Sequence, residues 1–277
     1  MLTHNEPMSE HCSFRAGGLA QDFFIPESVN DLTKFFKNNQ KSILILGLGS
    51  NLLVRDRGFD GVVIKLNNFK TLSMKNSIIE IGAGVTLAKI ARFCETQKLN
   101  GGEFLSAIPG SLGGALAMNA GAFGSEIWDF VHSVTTMNLS GEIFNRSKND
   151  FEIDYRKIIA KNNDEYFIGA NLKFDRTTKQ HNIKQLLEKR NQLQPIGLPS
   201  CGSVFKNPAD QYAAELIEKS NLKGFCIGGA CISEKHANFI INQTDASATD
   251  IENLIFYIQK TVKSKFGVDL EMEVRII

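Results

Sequence analysis

Glycine placement constrains this chain more than any other feature. Of its 23 glycines, 15 fall in the first 124 residues and eight in the remaining 153. Residues 101–124 alone hold seven, and residues 47–84 hold six more. Glycine loses more backbone freedom on folding than other residues, and it is used where the chain turns left-handed or comes close to something else. The N-terminal part must therefore lie closely against a ligand or against itself.

Composition narrows the class. A length of 277 residues suits one large domain or two ordinary ones, with a core that needs no disulfide or metal staples. With 43% hydrophobic and 22% charged residues the chain reads as soluble and globular. Lys and Arg number 31 against 30 Asp and Glu, so there is no basic field of the kind nucleic-acid or membrane-surface proteins carry. No apolar run approaches the roughly 18–20 residues of a membrane span, and the opening MLTHNEPMSEHCSF lacks a secretion signal's basic and apolar regions. A cytoplasmic protein is expected. The five cysteines (Cys12, Cys94, Cys201, Cys226, Cys231) are odd in number and form no C-x-x-C, which fits reduced thiols. No His/Cys grouping has zinc spacing, so no metal site is expected.

Hydrophobic periodicity predicts a helix over 28–39 with Ser28 as N-cap, and another after Thr86 ending before Gly101. SILIL (42–46), VVIKL (62–66), IIEIG (78–82) and YFIGANLKF (166–174) read as strands. Ile183, Leu186, Leu187, Arg190 and Leu193 repeat at helical spacing, as do residues within 211–220. Pro195, Pro199 and Pro208 mark a plausible domain boundary. Thr249 and Glu252 read as a capping box for a long helix with the stripe Ile251, Leu254, Ile258, Val262 and Phe266, stopped by Gly267. In the terminal LEMEVRII, alternation puts Glu271, Glu273 and Arg275 on one face and Leu270, Met272 and Val274 on the other.

Two glycine loops carry the functional signal. In ILILGLGSNLLV (43–54), Gly47 and Gly49 precede Ser50 and Asn51. Such a loop is either a phosphate-binding nest or a tight turn between strands. It is not a dinucleotide fingerprint, because the third glycine would fall at Leu52, and no Gly-Lys-Ser/Thr follows to make a P-loop. In GGEFLSAIPGSLGGALAMNAGAFG (101–124), Pro109, Gly110, Gly113 and Gly114 build a bend, and the small residues from Ala115 to Gly121 would let backbone lie flush against something flat or extended. Small residues for close helix packing are the alternative. Two nest-like segments in one domain favour a dinucleotide.

These segments resemble the UDP-N-acetylenolpyruvoylglucosamine reductase (MurB) family. ILGLGSNLLVRD with GFDGVVI, GAGVTLAKIAR and GGEFLSAIPGSLGGALAMNAGAFGSEI are similar to its FAD-binding domain, as are SFRAGG and YFIGANLKF. LPSCGSVFKNP, LKGFCIGGACISEKHANFIIN and LEMEVRI are similar to its C-terminal part. The resemblance covers nearly the whole chain in order, and the length fits the family's shorter subclass.

It implies an α+β protein. An FAD-binding domain of the vanillyl-alcohol-oxidase-like (PCMH-type) superfamily would span residues 1–178, in two subdomains of about 1–67 and 68–178. A smaller α+β substrate-binding domain would span 179–277. It also implies an NADPH-dependent flavoprotein reductase that converts UDP-N-acetylglucosamine enolpyruvate to UDP-N-acetylmuramate in peptidoglycan synthesis. NADPH reduces FAD, and C3 of the enolpyruvyl group then takes up a hydride while carbanionic charge develops at C2. Gly47, Gly49, Ser50, Asn51, Leu52, Pro109, Gly110, Ser111, Gly113, Gly114, Asn119, Ala120 and Gly121 would bind FAD. Ser203 matches the proton donor to C2, Arg156 the arginine facing the substrate carboxylate, and Glu273 a glutamate acting in protonated form, its pKa raised by burial. Tyr155, Lys206, Asn207, His236 and Asn238 are the substrate-binding candidates. One departure is Ile158, where the family often has a serine near the Tyr-Arg pair. His132 is the only histidine between 47 and 180 and lies outside both loops, so FAD is expected to be non-covalent. No G-x-S-x-G surrounds Ser203, which disfavours a hydrolase. A flavin oxidase and a non-catalytic nucleotide-binding module are the competing readings. A monomer without nucleic-acid or membrane partners is expected.

Overall fold

The computed structural model describes residues 1–161, 165–176 and 183–277. The division expected at 178/179 lies outside the described residues. By packing, the chain forms two compact units, each discontinuous in sequence. One comprises Met1–Thr3, Phe23–Leu48 and Gly61–Lys189, and the other His4–Asp22, Gly49–Asp60 and Arg190–Ile277. None of the helices among the described residues is long and apolar enough to cross a membrane.

In the first unit the expected helix forms as α1 (Val29–Asn38). Its N-cap is Ser28, whose hydroxyl accepts the Asp31 N–H at 3.1 Å. Leu32 and Phe36, one helical turn apart, bury the inner face against Val62, Ile64 and Met137. SILIL becomes the strand Ile43–Leu46, running parallel to Phe59–Lys65 with Ile43 opposite Val62. Beside these lies a five-stranded antiparallel sheet in the order Ile143–Arg146, Val131–Asn138, Glu165–Lys173, Ile78–Gly82, Leu72–Lys75.

Two helices, α2 (Leu87–Thr96) and α3 (Leu112–Met118), share one core with this sheet through Ile90, Leu112, Leu116, Ile79, Ile81 and Leu172. Trp128 fills that core, and its indole N–H donates to the Leu116 carbonyl at 2.8 Å. Each fully buried Leu or Ile contributes about 1.5–3 kcal/mol before cavity effects, so this core holds α3 in place although the helix is short and carries two glycines.

The second glycine loop contains the α3 helix, in which Leu112, Ala115 and Leu116 share one buried face, so its small residues serve close helix packing at least on that side. Gly113 serves close packing: a β-carbon there would stand 3.1 Å from the Ala83 β-carbon. Asn119 ends the helix in the left-handed region (φ 48°, ψ 56°), and the hairpin Gly121–Ala122/Ser125–Glu126 follows.

In the second unit, α5 (Ala213–Lys219) and α6 (Ala248–Phe266) pack with the small sheet Cys226–Ile227, Ala230–Ile232, Ile240–Asn242; α4 (Ile183–Leu193) precedes them in sequence. The α6 stripe Ile251, Leu254, Ile258 and Val262 is buried, whereas Phe266 in the last turn is exposed. The capping box is Ser247 with Asp250, two residues before the expected pair. Thr249 and Glu252 are engaged elsewhere: the Thr249 hydroxyl donates to Asp56, and the Glu252 carboxylate takes a fork of hydrogen bonds from Arg55. Gly267 stops the helix at φ 71°.

The expectation of five reduced thiols also needs correction. Cys226 and Cys231 stand opposite each other beside the Gly228–Gly229 turn, and their sulfurs are bonded at 2.07 Å. Residues flanking a tight turn face each other across the hairpin, which a spacing of five does not announce in sequence. Cys12, Cys94 and Cys201 are buried and form no disulfide among the described residues.

Candidate functional site

The first glycine loop is divided between the units. Gly47 belongs to the first, where a β-carbon on it would stand 2.7 Å from Ser111 Oγ and 3.8 Å from the Gly114 α-carbon. Gly49 belongs to the second, where its glycine is demanded by the fold. Its φ is +64°, and a β-carbon would overlap the His11 carbonyl oxygen at 1.9 Å. The backbone turn at Gly49 therefore requires a glycine on its own account.

Gly114 behaves differently. It is exposed, and a β-carbon there would meet only Ser111 Oγ, at 3.7 Å. Glycine inside a helix is costly, and no protein atom here requires it. Open space at Gly114, flanked by Gly47 and Ser111, leaves room for a closely approaching ligand. Other parts of the loop are stitched inward. The N–H groups of Leu112 and Gly113 donate to the carbonyls of Val85 and Ala83, and the Gly110 carbonyl accepts the Leu87 N–H. Pro109 is exposed, Gly110 is half-buried, and Ser111 and Ala120 are buried.

Asn119 is 1% exposed and its amide is spent within the fold. It donates to Glu126 Oε2 at 2.6 Å and to the Asp154 carbonyl at 3.2 Å, and its oxygen accepts the Trp128 N–H.

Arg156 sits at the tip of a hairpin. Phe151–Asp154 pairs with Lys157–Ala160, Asp154 lies opposite Lys157, and Tyr155 and Arg156 form the two-residue turn. Its φ of +54° is a conformation residues with a β-carbon rarely adopt, and such strain concentrates at functional sites. The guanidinium donates to the carbonyls of Asn119 (3.0 Å) and Gly121 (2.7 Å) and to Glu126 Oε1 (3.3 Å). The exposed Tyr155 ring lies under it, 4.8 Å from Cζ to centroid. Ile158, where a serine was the family habit, is partly buried and packs against the apolar core. No motif singles out Glu126 in sequence; only the fold brings it to Arg156.

In the second unit, the Ser203 loop and the C-terminal segment run side by side. The Glu273 N–H donates to the Val204 carbonyl at 2.8 Å, the Lys206 N–H to the Glu271 carbonyl at 2.9 Å, and Phe205 bridges Met272. Ser203 and Glu273, both half-buried, are therefore neighbours despite their separation in sequence. The burial pattern matches the expected alternation: Leu270 and Val274 are buried, while Glu271 and Arg275 are exposed. The end of the first glycine loop joins the same layer. Asn51 donates its amide to the Glu273 carbonyl at 2.9 Å, and Leu52–Leu53 pairs in parallel with Arg275–Ile276. Ser50, just before it, is half-buried.

Asn238 is buried, and both ends of its amide bracket Phe205: Oδ1 accepts the Phe205 N–H (3.0 Å) and Nδ2 donates to the Phe205 carbonyl (2.8 Å). It holds the Ser203 loop. Lys206 Nζ pairs with Glu271 at 2.5 Å, and Asn207 Oδ1 accepts the Ala213 N–H at 3.1 Å. Burial holds His236 below its ordinary pKa, so the imidazole is neutral near pH 7 and lends no charge to an anion. Its Nδ1 is buried and has no protein partner among the described residues. Cys201, behind Ser203, points its thiol at the Gly49 and Leu52 carbonyls. Burial pushes that thiol up to about 12, which removes it from nucleophilic chemistry.

Residues 194–277 match the C-terminal domain of UDP-N-acetylenolpyruvoylglucosamine reductase, and residues 23–147 match an FAD binding domain. A UDP-N-acetylenolpyruvoylglucosamine reductase from Coxiella burnetii is 45% identical, over 99% of this chain and 94% of the relative. One from Nitrosospira multiformis is 44% identical, over 100% and 88%. The crystal structure of UDP-N-acetylenolpyruvylglucosamine reductase from Thermus caldophilus is similar with a TM-score of 0.83 at 28% identity, covering 100% of this chain and 98% of that one.

Proposed function

The chain belongs to the UDP-N-acetylenolpyruvoylglucosamine reductase family, and from that premise we infer that it reduces UDP-N-acetylglucosamine enolpyruvate to UDP-N-acetylmuramate with NADPH. Bound FAD would supply the relay that carries a hydride from NADPH to the enolpyruvyl double bond. Residues 1–178 would hold it non-covalently, with Gly47, Ser111 and Gly114 against it, and residues 179–277 would take the nucleotide. The enzyme would work as a cytoplasmic monomer.

The single observation carrying the catalytic reading is the lateral pairing of the Ser203 loop with the segment bearing Glu273, through the Glu273 N–H and the Val204 carbonyl. It runs the backbone of the Ser203 loop alongside that of Glu273, and the two side chains would supply the hydroxyl and the carboxyl group that the chemistry needs. Ser203 would protonate C2. A serine hydroxyl is a weak acid, but a carbanion is a strong base, so the transfer runs downhill when the geometry is right; such acid catalysis is typically worth about 10²–10⁴ in rate. Glu273 in its protonated form would donate to the developing enolate. An ionised carboxylate there would oppose the charge it is meant to stabilise.

Arg156 would hold the substrate carboxylate bidentately, which a fixed planar fork does better than a point charge. Asn238 would keep the Ser203 loop in place, and Lys206, already paired with Glu271, would meet the diphosphate with Asn207 nearby. His236 would offer a neutral imidazole, and Tyr155 its exposed ring.

The test is NADPH oxidation with and without the enolpyruvyl nucleotide. Consumption of NADPH matched one for one by product is expected. Oxidation that ignores the nucleotide would point to an oxidase, and no flavin absorbance at all to a nucleotide-binding module.

A further inference from the structure

We propose that Glu126 is the positioning residue for Arg156, setting the direction in which the guanidinium meets the substrate carboxylate. The proposal rests on the reading of Arg156 as that carboxylate's partner. Two hairpins converge here. The first, Gly121–Ala122/Ser125–Glu126, turns through Phe123 and Gly124, both at positive φ, and so places Glu126 directly opposite Gly121. The second carries Arg156 at its tip. Arg156 therefore receives two groups from one strand pair: the Gly121 carbonyl at 2.7 Å and the Glu126 carboxylate at 3.3 Å.

The other Glu126 oxygen accepts the Asn119 amide at 2.6 Å, and the Asn119 carbonyl is itself a third acceptor for Arg156. The same Asn119 amide reaches the Asp154 carbonyl, at the foot of the Arg156 turn. Glu126 thus holds the guanidinium directly and also holds the residue that holds it. Gly121 adds a steric limit, since a β-carbon there would approach Arg156 Nη1 to 3.1 Å.

The arrangement requires a carboxylate. Both Glu126 oxygens face N–H donors, so two acceptors are needed. A glutamine has the same shape but only one acceptor. With its oxygen on Asn119, its NH₂ confronts Arg156 donor to donor and pushes the guanidinium away. Simple electrostatics predicts the opposite outcome, because removing a negative charge beside Arg156 would tighten the binding of an anion. The direction of change therefore separates positioning from charge.

The experiment measures binding of two nucleotides to the FAD-loaded enzyme by calorimetry. UDP-N-acetylmuramate carries the carboxylate, and UDP-N-acetylglucosamine does not. Glu126→Gln is expected to weaken the first about tenfold and leave the second unchanged, with Glu126→Asp recovering part of the loss because it retains two acceptors. In an Arg156→Lys background, Glu126→Gln is expected to add less than about twofold, as for residues acting through one another. FAD content and melting temperature show that each variant is folded. Unchanged or tighter binding, equal weakening of both nucleotides, or full additivity with Arg156→Lys would overturn the proposal. If Arg156→Lys weakens UDP-N-acetylmuramate selectively while Glu126→Gln does not, only the role of Glu126 falls. If Arg156→Lys is itself silent, the carboxylate reading falls with it.

Discussion

Arg156 shows how much a single position can carry. Its left-handed backbone, the Asn119, Gly121 and Glu126 acceptors and the Tyr155 ring all hold one cation at a hairpin tip. Arg156→Lys keeps the charge and loses the fork, so reduction of the enolpyruvyl nucleotide should slow by about 10²-fold, while FAD reduction by NADPH keeps its rate. Following the two reactions separately by stopped flow checks this, and an unchanged second rate would remove the arginine from the reaction. The Tyr-Arg pair could be found in sequence by resemblance. The positive φ could not, because nothing in DYR distinguishes a strained turn from a relaxed one. Asn119 and Asn238 illustrate a related gap. A sequence shows that an amide is present, but not that both of its ends are already spent inside the fold.

At the scale of elements, helices and strands with an uninterrupted apolar period could be read directly. Ser28 caps α1, whose Leu32 and Phe36 form the one face it can bury, and the apolar run Ile43–Leu46 pairs as a parallel strand. The α3 helix was hidden because its glycines and alanines look like a loop, and only the core beneath it makes it helical. It yields a prediction of opposite signs. Gly114→Ala removes a helix-interior glycine with nothing in the way, so the FAD-free protein should gain up to about 1 kcal/mol in stability. The same methyl group should weaken FAD, and melting curves with and without FAD would show both effects. A variant that is more stable and binds FAD normally would mean the open space at Gly114 is not the cofactor's.

The α6 terminus gives a second prediction at this scale. Burial alone would raise the Asp56 carboxyl, but the Thr249 hydroxyl and the N–H groups of Ala248 and Thr249 outweigh it, and the net shift is downward. A depressed folded pKa gives stability that is present above the unfolded value of about 3.9 and lost as pH falls through the folded value. Asp56→Asn should therefore lower the melting temperature by roughly 2 °C near neutrality, as loss of a cap does, and the difference should shrink below about pH 4. A difference independent of pH would assign the effect to shape alone.

For the whole molecule, the uneven glycine count has resolved into separate causes. Gly49 and Gly113 are required by neighbouring protein atoms, and Gly114 is not. The count was a true signal of close approach, but part of that approach is the chain against itself. The family and its order of segments could be read along almost the entire length, since motifs are local. The grouping of residues into compact units could not. Gly49–Asp60 and His4–Asp22 pack with Arg190–Ile277, because Leu53 and Phe14 bury their side chains in the same core as Val204, Ile251 and Val274. That packing also brings Asn51 to the carbonyl of Glu273, so the end of the first glycine loop and the candidate acid share one layer.

The central claim is that Ser203 completes the reduction by protonating C2 of the enolpyruvyl group, after NADPH has done its part. Anaerobic stopped flow on Ser203→Ala tests it most directly. Bleaching of the flavin by NADPH should keep its wild-type rate, and the return of flavin colour on adding UDP-N-acetylglucosamine enolpyruvate should slow by about 10²–10⁴-fold. Equal slowing of both phases, or a normal return of colour, would contradict the account.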